Sequence, residues 1–255
     1  MRLLILSIVL LINSASYAQD EKTLRTLYDL ALTKSEAYEN LRDLCKNIGA
    51  RLSGSAEADS AVVWAQNTLT DLGLDTVYLQ EIMVPHWERG KREKVYFFNE
   101  KGKNTLKVCA LGGSISTGLN QFIKGRVIEV HSIEELNALA DSIVKGSVIF
   151  FNRPMDPKKI STFSAYGSCV DQRYSGATEA SKKGAIAVLI RSMNLRNDDF
   201  PHTGSMGYEE GTDSIPAFAV STNDANYLSE NIKIYTDLEL TLKSHCKTFP
   251  DKISY

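Results

Sequence analysis

The sequence lacks the short signatures by which hydrolases and nucleotide-binding enzymes usually declare themselves. Its four histidines, His86, His131, His202 and His245, form no HExxH, no HxH and no His–Asp pair at zinc-ligand spacing. There is no GxSxG nucleophile elbow and no Walker loop; Gly112-Gly113-Ser114 reads only as a glycine-rich turn. The four cysteines, Cys45, Cys109, Cys169 and Cys246, contain no CxxC, which argues against a thiolate zinc site. No run is dense in lysine and arginine, and the net charge is -2, so nucleic acid is not an expected partner. Internal repeats and low-complexity tracts are absent. From these residues alone, no catalytic residue and no metal ligand is expected in the chain.

What is there is an ordinary globular composition. The chain has 255 residues, 43% hydrophobic and 24% charged, enough for one large or two small domains. Its beginning reads as an export signal. Arg2 supplies a positive start, Leu3 to Ile12 is apolar except for Ser7, and Ser16-Tyr17-Ala18 places small residues at the cleavage-determining positions. Cleavage is expected after Ala18, giving a secreted protein, periplasmic or extracellular. The competing reading, an uncleaved anchor, requires a longer apolar run, and no later stretch could span a bilayer. Export permits disulfides, and four cysteines allow three pairings. Cys45 falls on the apolar face of a helix, so a buried free thiol is an equal expectation there.

Hydrophobic spacing divides the mature chain in two. Leu24, Leu27, Tyr28 and Ala31, then Tyr38, Leu41, Leu44, Cys45 and Ile48, recur at helical intervals. Ala58, Ala61, Val62, Ala65, Leu69 and Leu72 form one stripe of a third helix, between Ser55 and Gly73. Thr76 to Val84 predicts a strand halted by Pro85. From Lys94 onward the pattern predicts strands at Val95–Phe98, Leu106–Leu111, Val127–Val130, Val148–Phe151, Ala185–Ile190 and Ala217–Val220. Ser132-Ile133-Glu134-Glu135 is a capping box opening a helix to about Ile143. Gly176 to Lys183 predicts a short helix, Asn223 caps another, and Arg153 to Asp171 reads as a long loop. Ile232 to Lys243 alternates like exposed β-structure.

Two segments are dense in chemistry-bearing side chains. His86, Trp87, Glu88 and Arg89 follow Pro85, so they read as a loop that borders a substrate cleft or docks another domain. In the plainer alternative Trp87 packs and Glu88 and Arg89 form a solvated ion pair. Pro201-His202-Thr203-Gly204 reads as loop architecture rather than a metal site.

Asn40-Leu41-Arg42-Asp43-Leu44-Cys45, followed by Ile48 through Ser55, resembles the start of the carboxypeptidase Q (plasma glutamate carboxypeptidase) family of di-zinc, aminopeptidase-like exopeptidases. Leu79 through Gly90 is similar to the same family. Lys183 through Ser192, Pro201-His202-Thr203-Gly204, Ile215-Pro216-Ala217 and Asp224-Ala225 resemble the core of a protease-associated domain. The resemblance runs collinearly over nearly the whole mature chain.

The resemblance implies a mixed α/β fold. Residues 19–93 would be the first part of a peptidase domain, with helices beside one strand. Residues 94–235 would be an inserted, β-rich protease-associated domain with short helices, and 236–255 a segment returning toward a catalytic core. The family uses two zinc ions, a bridging aspartate and a glutamate general base to cleave terminal residues from short peptides. No residue here occupies those positions. The expectation is therefore an inactive, non-catalytic portion of a zinc exopeptidase, cut short before its zinc ligands, with the Ala58 to Leu72 stripe partly exposed. Two alternatives stand beside it: a stand-alone exported binding module, and one half of a two-chain peptidase. Expected partners are short peptides, and a second copy or a missing catalytic chain.

Overall fold

The computed structural model describes residues 20–119 and 121–255. The expected leader, residues 1–18, lies outside them. Two compact units result: one from residues up to Arg51 together with Ala56–Tyr78, the other from Leu52–Ser55 and Leu79–Tyr255.

The first unit is helical, as its apolar spacing predicts. Helix α1 covers residues 20–33. Helix α2 (Ala37–Asp43) runs into a widened turn of π geometry, Leu44–Ile48. Helix α3 is Ala56–Asp71. The Trp64 indole N–H donates to Asp43 Oδ2 at 2.7 Å, tying α3 to the end of α2. No residue of α2 or α3 is buried, and Leu24, Tyr28, Leu41, Leu69 and Leu72 are all exposed. Cys45 is exposed as well, which corrects the expectation of a buried thiol. Helical periodicity reports which side chains share a face; it does not supply the surface that would cover them.

The second unit is built on an eight-stranded sheet. Strand β1 (Ile82–Glu88) stands apart and pairs antiparallel with β10 (Lys247–Ser254). The sheet itself contains β2 (Lys94–Asn99), β3 (Gly102–Leu106), β4 (Val108–Ala110), β5 (Ile123–Val130), β6 (Val148–Phe151), β7 (Ala187–Arg191), β8 (Ala217–Val220) and β9 (Glu239–Lys243), in the spatial order β3-β2-β9-β5-β6-β7-β8-β4. Strands β5 through β8 are parallel neighbours, and β4, β9, β2 and β3 join antiparallel. The two end strands, β3 and β4, are separated in the chain by Lys107 alone, so the sheet rolls until its ends meet at that residue.

Burial on both faces explains the unbroken apolar runs of the parallel strands. Val148 and Phe150 point into one core with Val127, Leu189, Phe218, Leu240 and Leu242, covered by Ala225 and Leu228 of a helix, Thr222–Ile234. Ile149 and Phe151 point the other way, against Val188, Ile190, Leu136, Val144, Ala177 and Ala180. The last four belong to the short helices α4 (Ile133–Ala138), α5 (Asp141–Val144) and α8 (Gly176–Lys182). Between them lie α6 (Thr162–Gly167) and α7 (Asp171–Tyr174), and Thr222–Ile234 is α9. This is a mixed α/β fold.

Several local expectations shift. Pro85 does not stop a strand; it sits inside β1, at the register shift between Val84 and His86, where a residue without an N–H is tolerated. The strand therefore begins at Ile82 rather than Thr76. The predicted helix from Ser132 is capped as expected, with Ser132 Oγ accepting from the Glu135 N–H at 3.0 Å. It breaks at Leu139, whose backbone is extended. The long segment from Arg153 contains α6, capped by Ser161. Ser221, not Asn223, caps α9. Residues 239–243, within the segment expected to lead away, form β9 between β2 and β5, and Leu240 and Leu242 are fully buried there.

Candidate functional site

Strand β1 carries three of the four residues singled out by their density, His86, Trp87 and Glu88, so these do not form a loop. His86, Trp87 and Glu88 lie opposite Phe249, Thr248 and Lys247 of β10, and Arg89 follows directly. The alternation of a strand sends them to two sides.

On one side the His86 ring stacks on Phe249, with centroids 4.5 Å apart, and its Nε2 lies 3.1 Å from Glu88 Oε1. Gly54 lies against this histidine. Its φ is +77°, and a Cβ there would come within 2.8 Å of His86 Cβ. Ser53 Oγ donates to the Pro85 carbonyl at 2.7 Å, fixing the Ser53-Gly54 turn over the strand. The histidine–carboxylate pair is thus held in one orientation by stacking, by a close backbone and by its hydrogen bond.

On the other side Trp87 and Arg89 reach the eight-stranded sheet. The indole N–H of Trp87 donates to the Ser114 carbonyl at 2.8 Å. The Arg89 guanidinium lies over the Trp87 ring, 5.3 Å from its centroid, and donates twice to the Ala110 carbonyl at 3.4 Å. It also pairs with Glu93 at 3.6 Å, and Glu93 is buried and accepts the Ala110 N–H at 2.8 Å. The solvated Glu88–Arg89 pair is replaced by two separate contacts, His86–Glu88 and Arg89–Glu93.

Cys109 and Cys246 both sense this ion pair. Burial pushes the Cys246 thiol up to about 11, with Glu93 adding to the rise and Arg89 opposing it. Burial also raises Cys109, opposed by Arg89. Neither is a thiolate nucleophile at neutral pH. All four cysteines are free.

The glycine-rich turn proves to be a junction. Ser114 is fully buried; its Oγ accepts the Ala217 N–H at 2.9 Å while its carbonyl takes the Trp87 indole. The Pro201 to Gly204 segment is architectural, as expected. His202 lies 2.9 Å through Nδ1 from the Met193 carbonyl, Thr203 donates to the Ala110 carbonyl, and Gly204 accepts the Gly112 N–H at 2.8 Å. A Cβ on Gly204 would meet the Arg173 guanidinium, so a larger residue there would make that side chain move.

One cluster had no signal in the sequence. At the carboxyl ends of β5, β6 and β7, Glu129 accepts from Ser229 Oγ at 2.8 and 2.9 Å and from the Asn152 amide. Arg191 donates to Asn152 at 3.1 Å and to Asn226 at 2.7 Å. Burial lowers the Arg191 pKa, and the charge of Glu129 opposes that shift. The residues are 23 to 100 positions apart in the pairs they form, so no local pattern announces them.

Zinc chemistry needs at least three protein donors. Among the described residues no group of three or more His, Cys, Asp or Glu is placed to hold a metal ion. His86 and Glu88 supply two donors, with the aromatic Phe249 against the ring, so these residues do not fit a zinc site.

With this geometry in view, the relatives are informative. The chain is 35% identical over 234 residues to carboxypeptidase Q of Xenopus laevis, which covers 91% of this chain and 47% of that protein. It is 32% identical to carboxypeptidase Q of Homo sapiens, covering 94% of this chain and 48% of the other. The chain is a homologue of carboxypeptidase Q. It spans about half the length of the curated relatives it matches. Among solved structures, a peptidase M28 precursor from Shewanella amazonensis superposes with a TM-score of 0.83 at 31% identity, over 93% of this chain and 53% of that one. A zinc aminopeptidase from Bacillus subtilis shares the fold, with a TM-score of 0.54 at 21% identity over 86% of this chain and 45% of that one. No family model matches the chain.

Proposed function

We propose that this chain contributes the non-catalytic part of an exported, zinc-dependent exopeptidase of the carboxypeptidase Q kind, acting on short peptides. The observation that carries this reading is a conjunction. The chain is similar over 91% of its length to carboxypeptidase Q, yet no described group of His, Cys, Asp or Glu could hold a metal ion. In this reading the rolled sheet is a protease-associated domain. The Trp87 and Arg89 contacts brace the β1–β10 ribbon against it. The apolar run from Leu3 to Ile12, followed by Ser16-Tyr17-Ala18, supports export.

The test is zinc stoichiometry and dipeptide hydrolysis by the purified chain, with zinc added. Less than one-tenth of an equivalent of bound zinc and no turnover above buffer are expected. Stoichiometric zinc with metal-dependent release of terminal residues would overturn the reading.

A second reading has one observation in its favour. The eight-stranded sheet buries two apolar cores of its own, as a self-sufficient module does. An exported binding module would therefore keep its cooperative thermal unfolding when residues 20–51 are removed, which leaves the Leu52–Ser55 part of that unit in place.

A further inference from the structure

The outward face of β9, β2 and β3 carries side chains that the core does not use. Tyr96 stands at its centre. Phe98 meets it edge-on at 5.8 Å, and Phe122, just before β5, lies 6.1 Å from it. Phe98 is 63% exposed and Phe122 46%, so this is an aromatic cluster open to solvent. On either side the surface dips into an open groove, the larger about 840 Å³ and bordered by Lys94, Tyr96, Lys103 and Phe200.

Three lysines surround the rings. Lys103 Nζ sits 3.8 Å over Tyr96, and Lys243 Nζ sits 5.0 Å over Phe122. Lys94 faces Lys243 directly across the β2–β9 pair. Like charges at directly opposed positions destabilise a sheet. Elsewhere on this face cations are matched: Lys124 with Glu239, and Arg126 with Asp237. Among the described residues Lys94, Lys103 and Lys243 have no carboxylate partner; the last two rest on aromatic faces.

We propose that this face docks an extended, acidic segment of a partner protein, with glutamates or aspartates on Lys94, Lys103 and Lys243 and apolar side chains on Tyr96, Phe98 and Phe122. The spacing fits. Alternate side chains of an extended strand lie about 6.8 Å apart, against ring separations of 5.8 and 6.1 Å here. An exposed aromatic patch with a charged rim is the usual form of a protein-contact surface. The cations beyond these three are already paired, Lys124 with Glu239, Arg126 with Asp237 and Lys107 with Asp199, so the face offers a short cluster of charge that suits a short acidic segment rather than the continuous charge of a nucleic-acid backbone. The inference stands apart from the peptidase reading.

The experiment is fluorescence anisotropy of the purified chain with a labelled eight-residue peptide, Glu-Ser-Leu-Ser-Leu-Ser-Glu-Ser, whose glutamates and leucines share one face when it is extended. A lysine–leucine peptide, a sulfated oligosaccharide and phosphatidylglycerol vesicles serve as competitors. Saturable binding is expected, weakened at least tenfold by Lys94→Glu with Lys243→Glu, and separately by Phe98→Ser. All three positions lie at the surface, and far-ultraviolet circular dichroism checks that the variants stay folded. The proposal fails if the glutamate–leucine peptide does not saturate, or if the folded variants bind it as the parent does. It also fails if the lysine–leucine peptide, the oligosaccharide or the vesicles compete equally well.

Discussion

The Trp87 indole N–H donates to the Ser114 carbonyl at 2.8 Å, and through that bond the two-stranded ribbon is anchored to the turn that follows β4. Ser114 is held from its other end by the Ala217 N–H. The ribbon thereby connects to the edge of the β7–β8 layer without sharing a strand with it.

Replacing Trp87 by phenylalanine keeps most of the ring and removes the donor. The carbonyl it served then loses a partner, which costs about 1–2 kcal/mol. Trp87→Ala also removes the surface under Arg89 and costs about 3 kcal/mol. The midpoint of urea unfolding should fall in that order, with an unchanged slope.

Cys246 gives a pH signature. Its thiol titrates near 9 when unfolded and at about 11 in the fold. Between those values the unfolded chain gives up a proton that the folded chain keeps, so stability falls as pH rises through that window. Cys246→Ala should flatten this part of the stability–pH curve relative to the parent. In the folded protein, iodoacetamide should label the exposed Cys45 well before Cys246, as read by mass spectrometry.

Gly54→Ala introduces a Cβ where φ is +77° and His86 is already in contact. The backbone penalty alone is about 1–2 kcal/mol, and the ring must leave its stack on Phe249. A drop in melting temperature, together with shifted His86 ring resonances in NMR spectra, is the expected outcome.

Arg191→Ala removes two hydrogen bonds and leaves Glu129 without its nearby cation. The loss should be about 3 kcal/mol, as for a broken buried charge network. Arg191→Met restores packing and should recover part of it. A double-mutant cycle with Asn226→Ala should show coupling, since the two side chains bond directly at 2.7 Å.

What the sequence disclosed was set by how local each signal is. Val148–Phe151 and Ala217–Val220 were readable to the residue, because a strand buried on both faces must be apolar throughout. The capping box at Ser132 was equally plain. Pro85 misled because proline usually ends a strand, and only the partner strand β10, more than 160 positions later, reveals the register shift that accommodates it. His86, Trp87, Glu88 and Arg89 stood out by their density, but their partners, Phe249, Ser114, Ala110 and Glu93, could not be named from pattern. The Glu129–Asn152–Arg191 cluster was invisible for the same reason: its charged members and the polar side chains that join them, Asn226 and Ser229, are scattered along the chain and meet only where three strands end.

Strand β9 is the last to be synthesised of the eight in the sheet, yet it occupies an interior place, between β2 and β5. During translation the hairpin of β2 and β3 must wait beside an open gap from the end of β3 at Leu106 until β9 begins at Glu239. Long-range closure of this kind slows folding. Until Lys243 has left the ribosome, the edge of β5 that β9 will cover is unsheltered.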